Sequence, residues 1–396
     1  MRVEWRRDET SPPDGASEEG DAELAASIRG EIAANGPITF AHFMERAVAD
    51  PARGYYATRG DRPTRSGDFL TAPELHPIFG ATLARAVDDM WQRLDRPDDF
   101  VMREFGAGTG TLFLAVADGL TSINSPLATK LRYEPVDFAR QRAQIVERLA
   151  AAGRAGQLVQ VAERGRLEHS VAVANEFLDA LPVHRVIRLN GALREIHVDW
   201  RDGRFVEVAG PLTDERLSTW FSKRDIQLAE SQRAEVNLAM LDWIRDVSAS
   251  LDRGYVMVVD YGAAAAELYG PSRPTGTIRA FSGQQVSGDV LSGVGTRDIT
   301  SHIDFDALER EARACGLEVA GRRRSNEFLI ASGLDDTYQQ ARVQADQDWD
   351  ASMNLRSAIQ RLLDPGALGG YLVSIMAKGA PTDPPLVGFN EIARPT

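Results

Sequence analysis

Residues 103–112 read REFGAGTGTL, with glycine at every second position from 106 to 110 after a short apolar run. The run FVMREF predicts a buried strand, and the following TGTLFLAVADGL predicts a helix. Glycine permits positive φ and close approach of a ligand, and the first amides of a helix offer hydrogen-bond donors. The stretch therefore predicts a strand, a ligand-binding turn and a helix in succession.

The same alternation of strand and helix continues along the chain. Buried strands are predicted at KLRYEPV, QLVQVAE, SVAVANEF and YVMVVDYG, with the helix DFARQRAQIVERLAAAG between the first two. Apolar strands that alternate with helices indicate an α/β, Rossmann-like fold with a parallel sheet. Two later segments, NEFLIAS and YLVSIMAKG, are predicted to form an antiparallel pair that closes one edge of the sheet.

A block of different character interrupts this alternation. HRVIRL, ALREIHVDW and RFVEVAG are three short strands joined by Asn-Gly and Asp-Gly turns, which strongly favour hairpins. We predict that residues 183–251 form an inserted antiparallel and helical lid. The sheet core is expected at 100–182 and 252–396. N-terminal helices and a loop that covers the site are expected at 24–99, after a disordered acidic tail at 1–23.

Composition limits the kinds of partner. The 396 residues include 45 basic and 58 acidic side chains, giving a net charge of −13. This balance argues against nucleic-acid binding and suits a cationic or neutral substrate. No apolar run of about 18 residues is present, so no membrane span is expected. There is no CxxC pair and no HExxH, so no metal is expected.

The predicted location is cytoplasmic. Cys315 is the only cysteine, which excludes an intrachain disulfide and suggests a reducing compartment. The first residues lack the apolar segment of a secretory signal and are too acidic for a mitochondrial transit peptide.

The glycine spacing favours one class of ligand over another. A dinucleotide fingerprint would need glycine at 111, where Thr111 stands. Glu104 lies two residues before the first glycine, and this arrangement resembles motif I of class I S-adenosylmethionine (SAM) methyltransferases. A carboxylate near the end of the next strand could accept the ribose hydroxyls, and Glu134 is the candidate. The predicted cofactor contacts here are Glu104, Gly106, Ala107, Gly108, Gly110 and Glu134. The alternative is a structural turn that binds no SAM. Glu163, just past the third strand, could lie near the adenine of SAM or equally in a solvated loop.

A second group of polar residues follows the strand that ends in VAN. Ligands of open α/β sheets bind outside the carboxyl ends of the strands, so Asn175, Glu176 and Asp179 are predicted to cluster beside the reacting sulfonium. Two acids separated by a short helical step would suit an arginine side chain, which they could orient and deprotonate. A helix start with Asn175 as its cap is the alternative, and both interpretations can hold together.

The order of these motifs resembles the MidA-type methyltransferases, a bacterial and mitochondrial family linked to assembly of respiratory complex I. The motifs are GPITFAHFMERAV, GDFLTAPEL, EFGAGTGTL, ANEFLDALP, DYG and DITSHIDF, and the resemblance covers about Gly36 to the C-terminus. It implies a class I fold, SAM as methyl donor and, from the mitochondrial branch, protein arginine methylation. It also implies that a loop formed by Gly67, Asp68, Phe69, Thr71 and Glu74 folds over the cofactor, and that Asn175, Glu176 and Asp179 face the substrate. Gly67, Asp68, Thr71 and Asn175 complete the predicted cofactor contacts.

The chain departs from the family pattern in the cofactor loop. The family usually has GPGRGTL where this chain has GAGTGTL, so Ala107 and Thr109 replace a proline and an arginine. Leu178 replaces a phenylalanine in ANEFFDALP. These changes leave the substrate open.

His302, in RDITSHIDFDALEREA, is the third predicted catalytic residue besides Glu176 and Asp179. Its role would be that of an acid, a base or an orienting group. The alternative is an ordinary helix start, in which Asp304 is the cap and Phe305, Leu308 and Ala312 face the core.

The predicted function is SAM-dependent N-methylation of arginine in a protein or peptide. Two alternatives are a small-molecule methyltransferase of secondary metabolism and a non-catalytic SAM-binding assembly factor. The expected partner is accordingly a protein, peptide or small-molecule methyl acceptor, with a homodimer left open. Nucleic acid is disfavoured because Asn-Glu-Phe-Leu follows the strand where adenine methyltransferases carry Asn/Asp-Pro-Pro-aromatic.

Overall fold

The computed structural model of the chain describes residues 20–58, 71–159, 165–282, 285–345 and 348–391. These residues form two compact units. The sheet unit comprises the described parts of Leu70–Leu178, Asp242–Gly262 and Phe305–Thr396. The hairpin unit comprises those of Met1–Phe69, Asp179–Leu241 and Ala263–Asp304.

A six-stranded sheet organises the described part of the sheet unit, in the order β15-β16-β9-β4-β2-β3. The middle strands β3, β2, β4 and β9 are parallel, whereas β16 is antiparallel to β9 and β15 is antiparallel to β16. The strands are β2 (Phe100–Phe105), β3 (Leu131–Val136), β4 (Leu167–Asn175), β9 (Leu251–Asp260), β15 (Glu318–Arg324) and β16 (Leu372–Lys378).

Helices surround this sheet, as the alternation of strand and helix predicts. Except in the helix that begins at Phe305, their buried side chains share one hydrophobic core with the strands, including Phe113, Tyr133 and Val173. They are α4 (Ala72–Leu75), α5 (Ile78–Arg93), α6 (Thr111–Ser122), α7 (Leu127–Lys130), α8 (Ala139–Ala151), α12 (Phe305–Ala314), α13 (Ser325–Ala331), α14 (Leu334–Gln344) and α15 (Trp349–Leu363).

The hairpin unit is built on the predicted antiparallel block. Its strand β6 pairs with β5, β7 and β1, and β5 also pairs with β8. A second small sheet has the order β12-β11-β13. The strands are β1 (Ile38–Thr39), β5 (His184–Leu189), β6 (Ala192–Arg201), β7 (Arg204–Gly210), β8 (Arg233–Val236), β11 (Arg279–Ser282), β12 (Gln285–Ser287), β13 (Asp298–Thr300) and β14 (Ile303–Asp304).

Short helices complete the hairpin unit: α1 (Ala22–Asn35), α2 (Phe40–Ala49), α3 (Tyr55–Thr58), α9 (Glu215–Trp220) and α11 (Ala265–Leu268). The chain passes from one unit to the other within α10 (Leu238–Ser250) and within β10 (Gly262–Ala263).

The unit boundaries differ from the predicted segments; for example, residues 242–251, predicted as part of the lid, belong to the sheet unit. Helix α5 belongs to the sheet unit, because Leu83, Val87 and Met90 are part of its core. Residues 263–304 belong to the hairpin unit, because Ile278 and Ile299 share a core with helices α1 and α2.

One secondary-structure prediction was wrong. NEFLIAS was predicted as a strand but lies in helix α13, and the partner of YLVSIMAKG is β15, the segment EVAGRRR. In QLVQVAE, the described residues show only an isolated bridge between Leu158 and Tyr133, next to a 3₁₀ turn at Ala155–Gln157. The rest of that segment, up to Glu163, lies outside the described residues.

Candidate functional site

The candidate site lies at the carboxyl ends of β2 and β4. From β2 the chain moves outward to β3 and then returns to β4 on the other side of β2, so these two strands flank a topological switch point. Ligands of open α/β sheets bind in this crevice. Register pairs Phe105 with Ala174, so the turn after β2 and the end of β4 are neighbours.

The glycine turn has the backbone that its sequence predicts. Gly106, Gly108 and Gly110 have φ of +65°, +54° and +71°, which side chains rarely adopt. Gly110 directly precedes helix α6, so the unpaired amides at the N-terminus of this helix follow the turn. A Cβ added at Gly108 would come no closer than 4.0 Å to its nearest neighbour, an oxygen of Gly106. The turn therefore leaves room for a ligand at Gly108, and Ala107 between these glycines is buried.

Asp137 holds this turn in place, a role that the sequence analysis missed. Its Oδ2 accepts a hydrogen bond from the amide of Gly108 at 2.7 Å, and its Oδ1 accepts one from Phe138 at 2.7 Å. Asp137 stands one residue beyond the end of β3. The sequence could have indicated this role, because Asp137 follows the strand after the glycine turn and parallel strands end at the same edge of a sheet.

Glu104 lies inside the sheet unit. Its side chain is 4% exposed and accepts a hydrogen bond from the hydroxyl of Tyr133 at 2.6 Å. Burial raises the pKa of the Glu104 carboxyl to about 8, against the lowering effect of the Tyr133 hydrogen bond and with a further rise from nearby Asp137. Its role as a direct cofactor contact stays a prediction, and what the structure shows is a buried carboxyl that accepts the Tyr133 hydrogen bond.

Glu134 is also buried, and it is paired within the protein. Its Oε2 accepts a hydrogen bond from Nε of Arg103 at 2.8 Å, and the two residues are register partners on β3 and β2. Arg103 in turn donates to the Ser250 hydroxyl and to the carbonyl of Gly165. The ribose contact predicted for Glu134 therefore stays a prediction, and Asp137 is the acid that touches the glycine turn.

The end of β4 brings several predicted residues together. Glu176 Oε1 accepts hydrogen bonds from the amide of Ala72 at 2.8 Å and from Nδ2 of Asn175 at 3.2 Å. Thr71, whose amide donates to Glu74 at 3.4 Å, precedes helix α4 and so lies at this contact. The TAPEL and ANEFLDALP motifs thus meet beside the glycine turn.

The backbone at the end of β4 has an unusual conformation. Glu176 has φ of +49°, a left-handed value that is uncommon for residues other than glycine, asparagine and aspartate. Asp260, the last residue of β9, stabilises this turn because its Oδ2 accepts hydrogen bonds from the amides of Phe177 and Leu178 at 3.2 and 3.0 Å. Asp260 belongs to the DYG motif, to which the sequence analysis gave no role.

Three aromatic rings lie next to the glycine turn. Phe105, Phe177 and Trp243 have ring centroids 5.3 to 6.2 Å apart. A Cβ added to Gly106 would lie 2.9 Å from Cδ2 of Phe177, so this ring touches the turn. The sequence analysis did not find Trp243, because it lies in helix α10 with no motif around it.

Two other predicted catalytic residues belong to the hairpin unit. Asp179 is 5% exposed, and its carbonyl accepts a hydrogen bond from the amide of Ser301 at 2.9 Å. The amide of His302 donates to the Thr277 hydroxyl at 3.1 Å. Burial lowers the pKa of His302 to about 4, aided by the positive charges of Arg273 and Arg279, so its imidazole is neutral near pH 7.

The helix that follows His302 matches the alternative interpretation of this segment. Helix α12 begins at Phe305, and Phe305, Leu308 and Ala312 are fully buried. A core-facing helix therefore starts just after the predicted catalytic histidine.

Some predicted features fall outside this description. Gly67, Asp68 and Phe69 lie outside the described residues, as does Glu163. Within the described ranges, no cluster of three or more His, Cys, Asp or Glu side chains could hold a metal ion. In that same part of the chain, no helix combines the length and apolar character needed to span a bilayer.

The site's chemistry fits SAM. Asn175 is 8% exposed, and among the described residues its Oδ1 has no hydrogen-bond partner, so this buried acceptor is available to an ammonium group such as that of the methionyl moiety. The open space at Gly108 and the positive φ of the three glycines provide a backbone surface for the same ligand.

Comparison with known proteins agrees with this site. Residues 82–323 match the family described as S-adenosyl-L-methionine-dependent methyltransferases. The human "Protein arginine methyltransferase NDUFAF7, mitochondrial" is 27% identical over 435 residues, covering 98% of this chain and 94% of the human protein. Its Drosophila melanogaster homologue is 27% identical over 379 residues, covering 89% of this chain and 84% of that protein.

Solved structures show the same relationship. A Burkholderia thailandensis protein bound to S-adenosyl-homocysteine is 29% identical, with a TM-score of 0.82 over 97% of this chain and 99% of that one. A second structure from the same organism is 31% identical, with the same TM-score and the same coverage of both chains.

The relatives correct one prediction. The human, fly and zebrafish proteins are all named as mitochondrial, which overturns the cytoplasmic location predicted from cysteine content and the acidic N-terminus. The family match covers more than half of the chain, and the glycine turn and its neighbours fit the cofactor of that family. The chain therefore belongs to the MidA-type family of SAM-dependent methyltransferases.

Proposed function

We propose that this methyltransferase N-methylates the guanidinium group of arginine in a protein or peptide. The observation that carries the proposal is the carboxylate of Glu176, fixed by Ala72 and Asn175 at the carboxyl edge of β4, where the backbone is held at φ +49°. The curated relatives, which are named protein arginine methyltransferases, support the same acceptor.

The chemistry of arginine explains why an acid is needed. A guanidinium is protonated at neutral pH and offers five N–H donors but no acceptor. SAM, when bound, supplies a methyl group on a positively charged sulfur. A carboxylate that accepts two guanidinium N–H groups fixes the side chain and makes one nitrogen a better nucleophile by taking up the proton that it loses.

Glu176 is the acid proposed for this role, and Asp179 is proposed as the second acid three residues further along the chain. Because Glu176 Oε1 is already held by two donors, its carboxylate enters the reaction with a fixed orientation. Asn175 is proposed to bind the cofactor through its buried amide oxygen.

The test is methyl transfer from labelled SAM to peptides that contain arginine, with matched peptides in which lysine replaces it. Methylarginine, identified by mass spectrometry, is the expected product. Glu176→Gln keeps an oxygen for the Ala72 amide and is expected to lower kcat by roughly 10²–10⁴ while changing SAM affinity less than about threefold.

Glu168→Gln is the matched control, because Glu168 is an exposed acid at the opposite end of the same strand. It should leave kcat unchanged. Full activity of Glu176→Gln on an arginine peptide would refute the proposed role of this acid. Methylation of small metabolites without any methylarginine would instead favour the small-molecule alternative.

A further inference from the structure

A cavity of about 390 Å³ lies within the hairpin unit, and none of the residues that line it belongs to the candidate site described above. It lies between the segment 227–232 and the turn at 269–271, and Arg188 of strand β5 also lines it. Protein sites for small molecules have volumes of about 300–1,000 Å³, so this cavity can hold a small organic ligand.

Gln232 holds the walls of this cavity together. Its Nε2 donates hydrogen bonds to the carbonyls of Tyr269 and Gly270, both at 3.1 Å. Its own carbonyl accepts a hydrogen bond from the amide of Arg188 at 3.1 Å. Strand β5 and both walls are therefore linked before a ligand arrives, which lowers the entropy cost of binding.

Arg188 supplies the positive charge of the cavity. When the amide of Gln227 has its oxygen toward the guanidinium, that oxygen accepts hydrogen bonds from Nη1 and Nη2 of Arg188 at 3.1 and 3.0 Å. Elsewhere in the described ranges, this guanidinium forms no hydrogen bond or ion pair. Because Gln227 uses one N–H of each Nη, the edge formed by Nε and Nη2 still offers two donors. Such an edge matches the two oxygens of a carboxylate.

The rest of the lining favours an apolar ligand with a single negative charge. Leu228 and Tyr269 are buried, and the Tyr269 hydroxyl already accepts a hydrogen bond from Nε1 of Trp220 at 3.1 Å, so both residues offer mainly apolar surface. Glu230 also lines the cavity, and two backbone amides of the turn between β5 and β6 hold its carboxylate in place. This fixed negative charge disfavours a phosphate with two charges more than a carboxylate with one.

We propose that this cavity binds a small organic molecule that carries one carboxylate on an apolar body. Arg188 holds the carboxylate along its Nε–Nη2 edge, and the apolar body covers Leu228 and Tyr269. The site belongs to the hairpin unit alone and does not depend on the methyl acceptor proposed above. The carboxyl end of a peptide offers the same chemistry, so the test separates a free small molecule from a chain end.

The test is a fluorine NMR titration of the full chain with para-fluorophenylacetate. Its amide, para-fluorophenylacetamide, has nearly the same shape but no charge. The carboxylate is expected to bind at least about tenfold more tightly than the amide, because only the carboxylate forms a charge-assisted pair with Arg188. N-acetyl-para-fluorophenylalanine carries the chain-end form of the same group, and binding more than about tenfold tighter than that of para-fluorophenylacetate would identify a peptide end as the ligand.

Two variants test the guanidinium in different ways. Arg188→Gln should weaken the binding of para-fluorophenylacetate at least about tenfold. Gln227→Glu should weaken it similarly with Arg188 still present, because the new carboxylate would pair with the guanidinium in place of the ligand. Arg204→Gln is the matched control, since Arg204 is an exposed arginine of β7 in the same unit and does not line the cavity. It should bind as wild type does.

Thermal melts followed by circular dichroism report the fold of every variant. If Arg188→Gln does not fold, Gln227→Glu decides the question, because the Gln227 side chain is exposed. Equal binding of the acid and the amide by the wild type, or no binding of either, would overturn the proposal. Wild-type affinity in either folded variant, or an equal loss in Arg204→Gln, would overturn it as well.

Discussion

The buried carboxyl of Glu104 makes the stability of the protein depend on pH in a way that one substitution should remove. Burial raises its pKa to about 8 from the usual glutamate value of 4.5. The folded protein therefore holds a proton on this carboxyl that the unfolded chain has already released above about pH 5. The resulting stabilisation is complete below the unfolded pKa and is lost as pH rises through the folded pKa.

The size of this effect follows from the two pKa values. The free energy of unfolding should fall by about 2 kcal/mol between pH 6 and pH 8 through this group alone, and by about 5 kcal/mol over its full titration. Glu104→Gln has nearly the same shape, keeps an oxygen for the Tyr133 hydroxyl and cannot ionise. The variant should therefore gain about 2 kcal/mol relative to wild type between these two pH values.

Urea unfolding of the cofactor-free protein at pH 6 and pH 8 measures this difference. Hydrogen exchange of peptides from β2 and β3 reports it locally, so the result does not depend on both units unfolding together. Glu168→Gln, which changes an exposed acid, is the control and should run parallel to wild type. If Glu104→Gln also runs parallel to wild type, Glu104 is ionised in the folded protein and the argument from burial is wrong.

Three further perturbations test other parts of the structure. Gly108→Ala should weaken SAM binding roughly fivefold in calorimetry, because an alanine relaxes from φ +54° in the free protein and must recover that conformation, at about 1 kcal/mol, when SAM binds. Unchanged affinity would contradict the role of this backbone. Arg103→Met should lower the free energy of unfolding in urea by about 3–5 kcal/mol, since it leaves Glu134 buried without its ion pair, whereas a loss below about 1 kcal/mol would show that this pair matters little. His302→Gln should flatten the loss of stability below pH 6.5. Because the pKa of His302 is lowered to about 4 in the folded protein, the unfolded chain takes up a proton first as pH falls, and this lowers the free energy of unfolding by up to about 3 kcal/mol. An identical loss of stability below pH 6.5 in both proteins would refute this.

Local chemistry explains which parts of the fold the sequence predicts well. The turns at Asn190-Gly191 and Asp202-Gly203 have positive φ at both residues, as the hairpin signal requires, so the three strands they join were predicted correctly. The strand, turn and helix around the glycine stretch were predicted correctly for the same reason, because the positive φ values of the turn require glycine locally.

Long-range contacts explain the failures. Strand β15 reads EVAGRRR and lacks an apolar alternation, because it lies at the edge of the sheet and its arginines bond elsewhere, as Arg323 does with the carbonyl of Gly388. The more apolar NEFLIAS then looked like the strand, although Phe328 and Leu329 are buried from a helix. Apolar content alone does not separate a short buried helix from a strand.

The candidate site was predicted in part for a similar reason. Motif spacing found the glycine turn and the residues after β4, which lie together in the structure because the ring of Phe177 touches the turn at Gly106. Asp137, Asp260 and Trp243 were missed, because their roles depend on which strands are neighbours and on how helix α10 packs.

The place of β16 in the sheet has a consequence for biosynthesis. Among the described strands this one comes last in sequence, yet it lies between β9 and β15. During translation the ribosome must therefore deliver more than 370 residues before the central layer can close, and until then β9 presents an unpaired edge to other chains. A product that stops before Leu372 would carry this open edge permanently, so we expect the cell's chaperones and proteases to recognise shortened chains as unfinished even when every residue of the glycine turn is present.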